Sequence, residues 1–120
     1  MKVAVSAIGN TLDSAVDPRF GRAAGFLLVD TETGEYEAID NSQNLNAMQG
    51  AGVQAAQTVC SHRPDYVLTG HCGPKAFRAL ESAGVKVVIG IEGTVAEAVE
   101  KLKAGEVEPT HAADVQGHWA

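Results

Sequence analysis

The chain is short of aromatic rings, of cysteine and of positive charge. Phe, Trp and Tyr make up 5% of its 120 residues. The 45% hydrophobic share must therefore build a core mostly from Val, Ala, Leu and Ile. Two cysteines far apart in the chain do not form the disulfide framework of a small secreted domain. Reduced thiols are the expectation, and a reduced thiol is available to a metal. Nine Lys and Arg stand against 15 Asp and Glu, for a net charge of −6. This excludes a global basic field for nucleic acid, so any anion site must be a local patch. No apolar run is long enough to span a bilayer, and no charged-then-apolar leader follows Met1. The expectation is a soluble, cytoplasmic protein with no membrane partner.

What is present reads as an α/β domain. Residues 2–8 (KVAVSAI), 25–31 (GFLLVDT) and 35–40 (EYEAID) are β-rich, and the Thr33-Gly34 turn makes the last two a hairpin. A loop rich in Asp, Pro and Gly separates the first two segments, and a second loop (NSQNLNAMQGAG) follows the third. Val53, Ala56 and Cys60 recur at helical spacing over 51–62, until Arg63-Pro64 stops the pattern. Residues 65–69 read as the fourth strand. Pro74 opens a helix that ends before Gly84, and 85–91 (VKVVIGI) is the fifth strand. Thr94 and Glu97 have the spacing of a capping box for a last helix that stops at Gly105. The order β-β-β-α-β-α-β-α predicts a five-stranded mixed sheet with flanking helices, antiparallel in its first half and parallel in its second. Residues 1–105 form the expected single domain, and 106–120 a loosely held polar tail.

Chemistry can gather where loops leave strand ends. The stretch Gly70-His71-Cys72-Gly73, after the fourth strand, precedes a helix whose N-terminus carries free N–H groups and partial positive charge. Lys75 in that first turn works against the helix dipole unless an anion binds there. Helix and lysine together should lower the pKa of Cys72, and thiolate and imidazole both suit soft or borderline metals. His71 and Cys72 are thus candidate metal ligands, with direct ligation left open. The alternative is turn glycines, a solvated His71 and a buried Cys72. In Asp17-Pro18-Arg19-Phe20-Gly21-Arg22, two guanidiniums beside an exposed Phe20 could grip and cover an anion. Equally, the segment could be a stiff turn with Asp17 paired to an arginine and Phe20 in the core. Met48-Gln49-Gly50-Ala51-Gly52 could cradle an anion on backbone N–H groups, though it lacks the full GxGxxG spacing. Cys60 reads as a buried small hydrophobe, His62 as a cation at a helix C-terminus, and His111 and His118 as solvated tail residues.

MKVAVSAIG, DPRFGRA, QGAGVQAAQ and VLTGHCGPKAFRAL followed by AGVKV, in that order, together resemble the dinitrogenase iron–molybdenum cofactor biosynthesis family. The resemblance covers the chain to about residue 104. It implies a ribonuclease H-like fold and non-covalent binding of an anionic metal–sulfide cluster, in one branch a molybdenum–copper sulfide. Arg19, Phe20, Gly21 and Arg22 match the family's first loop, Gly50 and Gly52 its second, and Gly70, Gly73 and Pro74 its third. His71 and Cys72 look like a feature of one branch. Some members carry a His near the start of the first helix. This sequence has Met48-Gln49-Gly50 there, which argues against ligation from that loop and against iron–molybdenum cofactor as cargo.

The resulting expectation is a carrier or assembly scaffold for a metal–sulfide cluster, not an enzyme. Its partners would be the inorganic cluster and the proteins that deliver or accept it. Arg19, Arg22 and Lys75 would neutralise charge, Phe20 and Met48 would cover an apolar side, and His71 or Cys72 would contact copper or sulfide. The alternatives are a thiol-dependent redox protein or enzyme using Cys72, and a metal-free module for small anions. A nuclease is disfavoured because KVAVSAI carries no carboxylate to hold a divalent metal.

Overall fold

The computed structural model describes residues 1–42 and 50–110. The elements run β1 (Lys2–Ala7), β2 (Gly25–Asp30), β3 (Tyr36–Asp40), α1 (Ala51–Cys60), β4 (Tyr66–Leu68), α2 (Pro74–Ser82), β5 (Lys86–Val88) and α3 (Val95–Lys103). The strands form one mixed sheet in the order β3-β2-β1-β4-β5. β2 is antiparallel to β1 and to β3, while β4 is parallel to β1 and to β5. The hairpin and the helical crossovers thus have the orientations their connections demand.

Alternation along β1 divides the core in two. Val3, Val5 and Ala7 join Leu27, Val29, Leu68 and Val88 beneath Val95, Ala98, Val99 and Leu102 of α3. Ala4 faces the other way, with Phe26, Leu28 and Val67 beneath Ala55, Ala56 and Val59 of α1 and Phe77 and Leu80 of α2. The central strand is therefore buried on both faces, whereas edge strand β3 buries only Ile39. Among the described residues no helix is long and apolar enough to cross a membrane.

The chain after α3 departs from the loose tail expected at residue 106. Val107 packs on the α3 side of the core. Thr110 donates its N–H to Val87 O at 2.7 Å, and its hydroxyl accepts from Ile89 N at 3.2 Å. A strand edge left open at β5 supplies the groups that hold this polar segment, and composition alone does not reveal them. His111 and His118 lie outside the described residues.

Candidate functional site

Three segments distant in sequence meet beyond the carboxyl ends of β1 and β4. The first loop is tied to the third by backbone: His71 donates its N–H to Pro18 O at 2.6 Å, and Phe20 donates to His71 O at 3.0 Å. Gly70 makes this possible, since a Cβ there would lie 2.7 Å from Pro18 Cα. Gly21 does the same toward α1, where a Cβ would stand 2.8 Å from Gly52 N and Cα. These two glycines close loops against each other. Gly70 therefore acts beneath the site, through packing.

Two adjoining hollows open on the outer side of this junction. One, of about 380 Å³, is lined by Arg19, Gly21, Arg22, Gly50, Gly52, His71 and Gly73, with Phe20 and Ala51 at its floor. The other, of about 320 Å³, shares Gly21, Gly50, Gly52 and Gly73 and continues past Pro74 to Lys75. The structure thus brings Arg19, Arg22, His71 and Lys75 around one glycine-lined surface. Met48 lies outside the described residues.

Both helices that point at this surface begin at glycine. Gly50 is the N-cap of α1, in the left-handed region at φ 77°, a conformation that favours glycine. Gly73 is the N-cap of α2 at φ −65°, ψ 163°, where any residue could sit, and no atom lies within 4 Å of a Cβ built there. Neither helix has an acidic residue in its first turn. The N–H groups of Gly52, Val53, Lys75 and Ala76 have no acceptor among the described residues. Two helix termini, with their partial positive charge, border both hollows, with two guanidiniums on one and an ammonium on the other.

Two expectations are corrected. Phe20 does not cover the site with an exposed ring. It is 1% exposed and packs on Phe26, with ring centroids 5.2 Å apart. Cys72 has no lowered pKa: it is 1% exposed among apolar neighbours, and burial pushes its thiol up to about 12. Desolvation penalises the thiolate more than the helix terminus and Lys75 favour it. A buried thiol with that affinity for its proton is a poor nucleophile, which counts against a Cys72-dependent redox protein or enzyme. Cys60 is partly buried against the same core and its pKa is raised by the same cause. His62 faces Glu37 at 3.3 Å just beyond α1, remote from the hollows. Among the described residues no three His, Cys, Asp or Glu side chains group as ligands for a metal ion.

Asp17 was readable as a partner for one arginine, and it is. Its Oδ1 accepts from Arg19 N at 3.0 Å and from Arg19 Nε at 3.4 Å. The signal is the Asx-turn, an aspartate bonding the N–H two residues on. The free N–H donors were expected at both helix starts, and the structure identifies them as those of Gly52, Val53, Lys75 and Ala76. The glycine caps and Pro74 are their trace in the sequence.

This chain belongs to the dinitrogenase iron-molybdenum cofactor family, whose model matches residues 1–105. Among solved structures it is similar to the orange protein from Desulfovibrio gigas in its apo form. Identity is 45% and the TM-score 0.88, covering 91% of this chain and 92% of that one. It is also similar to a putative NifB protein from Thermotoga, at 35% identity and a TM-score of 0.77, over 90% of this chain and 91% of that one. An uncharacterized protein of Methanocaldococcus jannaschii is 28% identical over 111 residues, 90% of each chain.

Proposed function

We propose that this protein binds and carries a preassembled, anionic metal–sulfide cluster, of the molybdenum–copper sulfide type, held without covalent attachment. One observation carries the reading: two glycine-capped helix N-termini and the side chains of Arg19, Arg22 and Lys75 line the same open surface. Sulfides of a cluster accept hydrogen bonds from backbone N–H groups, and the cations offset its charge. Gly73 fits this role. Neither its backbone angles nor a neighbouring atom calls for glycine, while a cluster resting on the α2 terminus would occupy the space of a Cβ. Cys72 is buried, so the metals of the cargo keep their own sulfide ligands and His71 stands at the rim. We read residues 1–105 as the binding unit and its sheet as ribonuclease H-like, used as scaffold in the cytoplasm and not for catalysis. An open, cage-free site suits a carrier that passes its cargo to another protein.

The test is to incubate the purified protein with tetrathiomolybdate and a copper salt, desalt it, and record the visible spectrum and metal content. Retained colour with molybdenum and copper in a fixed ratio is the expected result. Cys72→Ser should retain it equally. Absence of retained metal in both proteins would leave a metal-free site for small anions as the better account.

A further inference from the structure

We propose that Asp17 is a positioning residue: it fixes the guanidinium of Arg19 at the rim of the hollow, and its charge keeps the anionic cargo exchangeable. The inference rests on the cargo reading above. Asp17 is 3% exposed, whereas the side chain of Arg19 is 58% exposed. Oδ1 of Asp17 takes both the backbone N–H and Nε of Arg19. One edge of the guanidinium is thereby anchored, while its four Nη hydrogens are left to other partners.

The anchor is itself held from below. Asp17 donates its N–H to Ser6 O at 2.8 Å, and Ser6 Oγ donates to Asp17 O at 2.6 Å. A hydroxyl has one proton, and that of Ser6 is committed to Asp17. In the 2.7 Å contact between Ser6 Oγ and Thr69 Oγ1, Thr69 is therefore the donor. Both residues are 0% exposed. This chain of bonds links β1 and the end of β4 to the arginine loop, and it sets where Arg19 stands.

A neutral amide could accept the same two N–H groups. Aspartate adds a negative charge within a few ångströms of a surface built to attract anions, and that charge weakens the hold on cargo. In a permanent binding site it would be a defect. In a carrier it shortens the residence time, which is where most tuning of affinity acts.

The experiment loads wild type, Asp17→Asn and Glu100→Gln with the tetrathiomolybdate–copper cluster, then follows loss of the visible band after dilution at two salt concentrations. Circular dichroism melts confirm that each variant is folded. Asp17→Asn is expected to lose the band about tenfold more slowly, with the larger slowing at low salt. Glu100→Gln, the same charge change on exposed α3, should match wild type. In an Arg19→Gln background Asp17→Asn should still slow the loss, because the carboxylate charge acts on the cargo whether or not the guanidinium is present. Equal or faster loss from folded Asp17→Asn overturns the proposal, and so does equal slowing by Glu100→Gln. If Asp17→Asn does not fold, Arg19→Lys decides: it keeps the charge but has no Nε to anchor, so about tenfold faster loss supports the positioning and an unchanged rate overturns it. A wild type that retains no colour at all overturns the cargo reading together with this one. Retained colour with no difference among the variants counts against Asp17 alone.

Discussion

The N-terminus of α3 and those of α1 and α2 solve the same problem in opposite ways. At α3, Thr94 Oγ1 accepts from Glu97 N, and Glu97 Oε1 accepts from Thr94 N, in a complete capping box. Val95 N and Ala96 N find Ser14 O and Leu12 O of the loop after β1. Every donor of that first turn is taken inside the chain, and the Glu97 carboxyl is held below the usual carboxylate range chiefly by its bond to Thr94 N. At α1 and α2, glycine replaces the capping side chain, acids are missing from the first turn, and Lys75 adds positive charge where a helix would be steadied by negative. The α3 terminus is satisfied within the chain, whereas at α1 and α2 the N–H groups of Gly52, Val53, Lys75 and Ala76 find no acceptor among the described residues.

Removing the charges is the strongest way to break this contrast. Arg19→Ala with Lys75→Ala should weaken cluster retention by about a hundredfold or more, since two cations beside an anion are lost. Lys75→Ala alone should hardly move the melting temperature, whereas Arg19→Ala should lower it by a few degrees, because Asp17 is 3% exposed and loses its guanidinium partner. Desalting followed by metal analysis, with a melt beside it, checks both halves. Retention that survives this change would leave shape and backbone N–H groups as the whole site.

Gly73→Ser sharpens the contrast, because it gives α2 the cap that α3 has. The backbone angles of Gly73 suit an N-cap serine. The variant should therefore melt a few degrees higher, consistent with a cap effect of about 0.5 kcal/mol. It should also hold the cluster about tenfold more weakly, because the hydroxyl takes an N–H group and fills the space above it. A variant that gains stability and keeps its cargo would show that the α2 terminus is not used.

Thr94→Ala is the reverse experiment, on the satisfied end. It should cost about 1 kcal/mol in denaturant unfolding and leave cluster retention per folded molecule unchanged. Any specific loss of retention would join α3 to the site.

The smallest effect at neutral pH belongs to Cys72, and it becomes visible only in alkali. The thiol ordinarily titrates near 9.0 and is pushed up to about 12 in the folded protein. From about pH 9 upward the unfolded chain gives up a proton that the folded chain keeps. The stability contributed by the protonated thiol is full below pH 9 and is lost as pH rises toward 12. Urea midpoints should therefore fall over this range more steeply in wild type than in Cys72→Ala, and parallel curves would put the thiol in a different environment. Alkylation of the native protein at neutral pH should be slow for the same reason.

Local chemistry was readable from sequence, and long-range placement was not. The Thr94–Glu97 box, Pro74 at the head of α2 and the hairpin around Thr33-Gly34 each depend on neighbours a few residues away. For Phe20 the charged neighbours in its loop left an exposed ring and a core ring equally open, and the structure has the core ring. Its burial depends on Phe26, on a strand the loop folds back against. Cys72 looked activated because the helix terminus and Lys75 are adjacent in sequence. Its surroundings come from α1, α2 and the sheet face beneath them. The cationic residues of the site were legible as a set, since Arg19, Arg22 and Lys75 have no role in a core. Which glycines face the hollow and which lock the loops required the structure: Gly21 and Gly70 meet backbone, whereas Gly73 meets open space.

The scatter of the site along the chain has a consequence in time. Its parts come from residues 19–22, 50–52 and 71–75, and the first is fastened to the last by the bonds between Pro18, Phe20 and His71. During synthesis the arginine loop emerges early and has nothing to close against until β4 has slotted in beside β1. The surface that these segments share is therefore absent from the nascent chain. On the proposed reading, a bound cluster would bridge early and late segments, so a filled protein would be harder to unfold than an empty one.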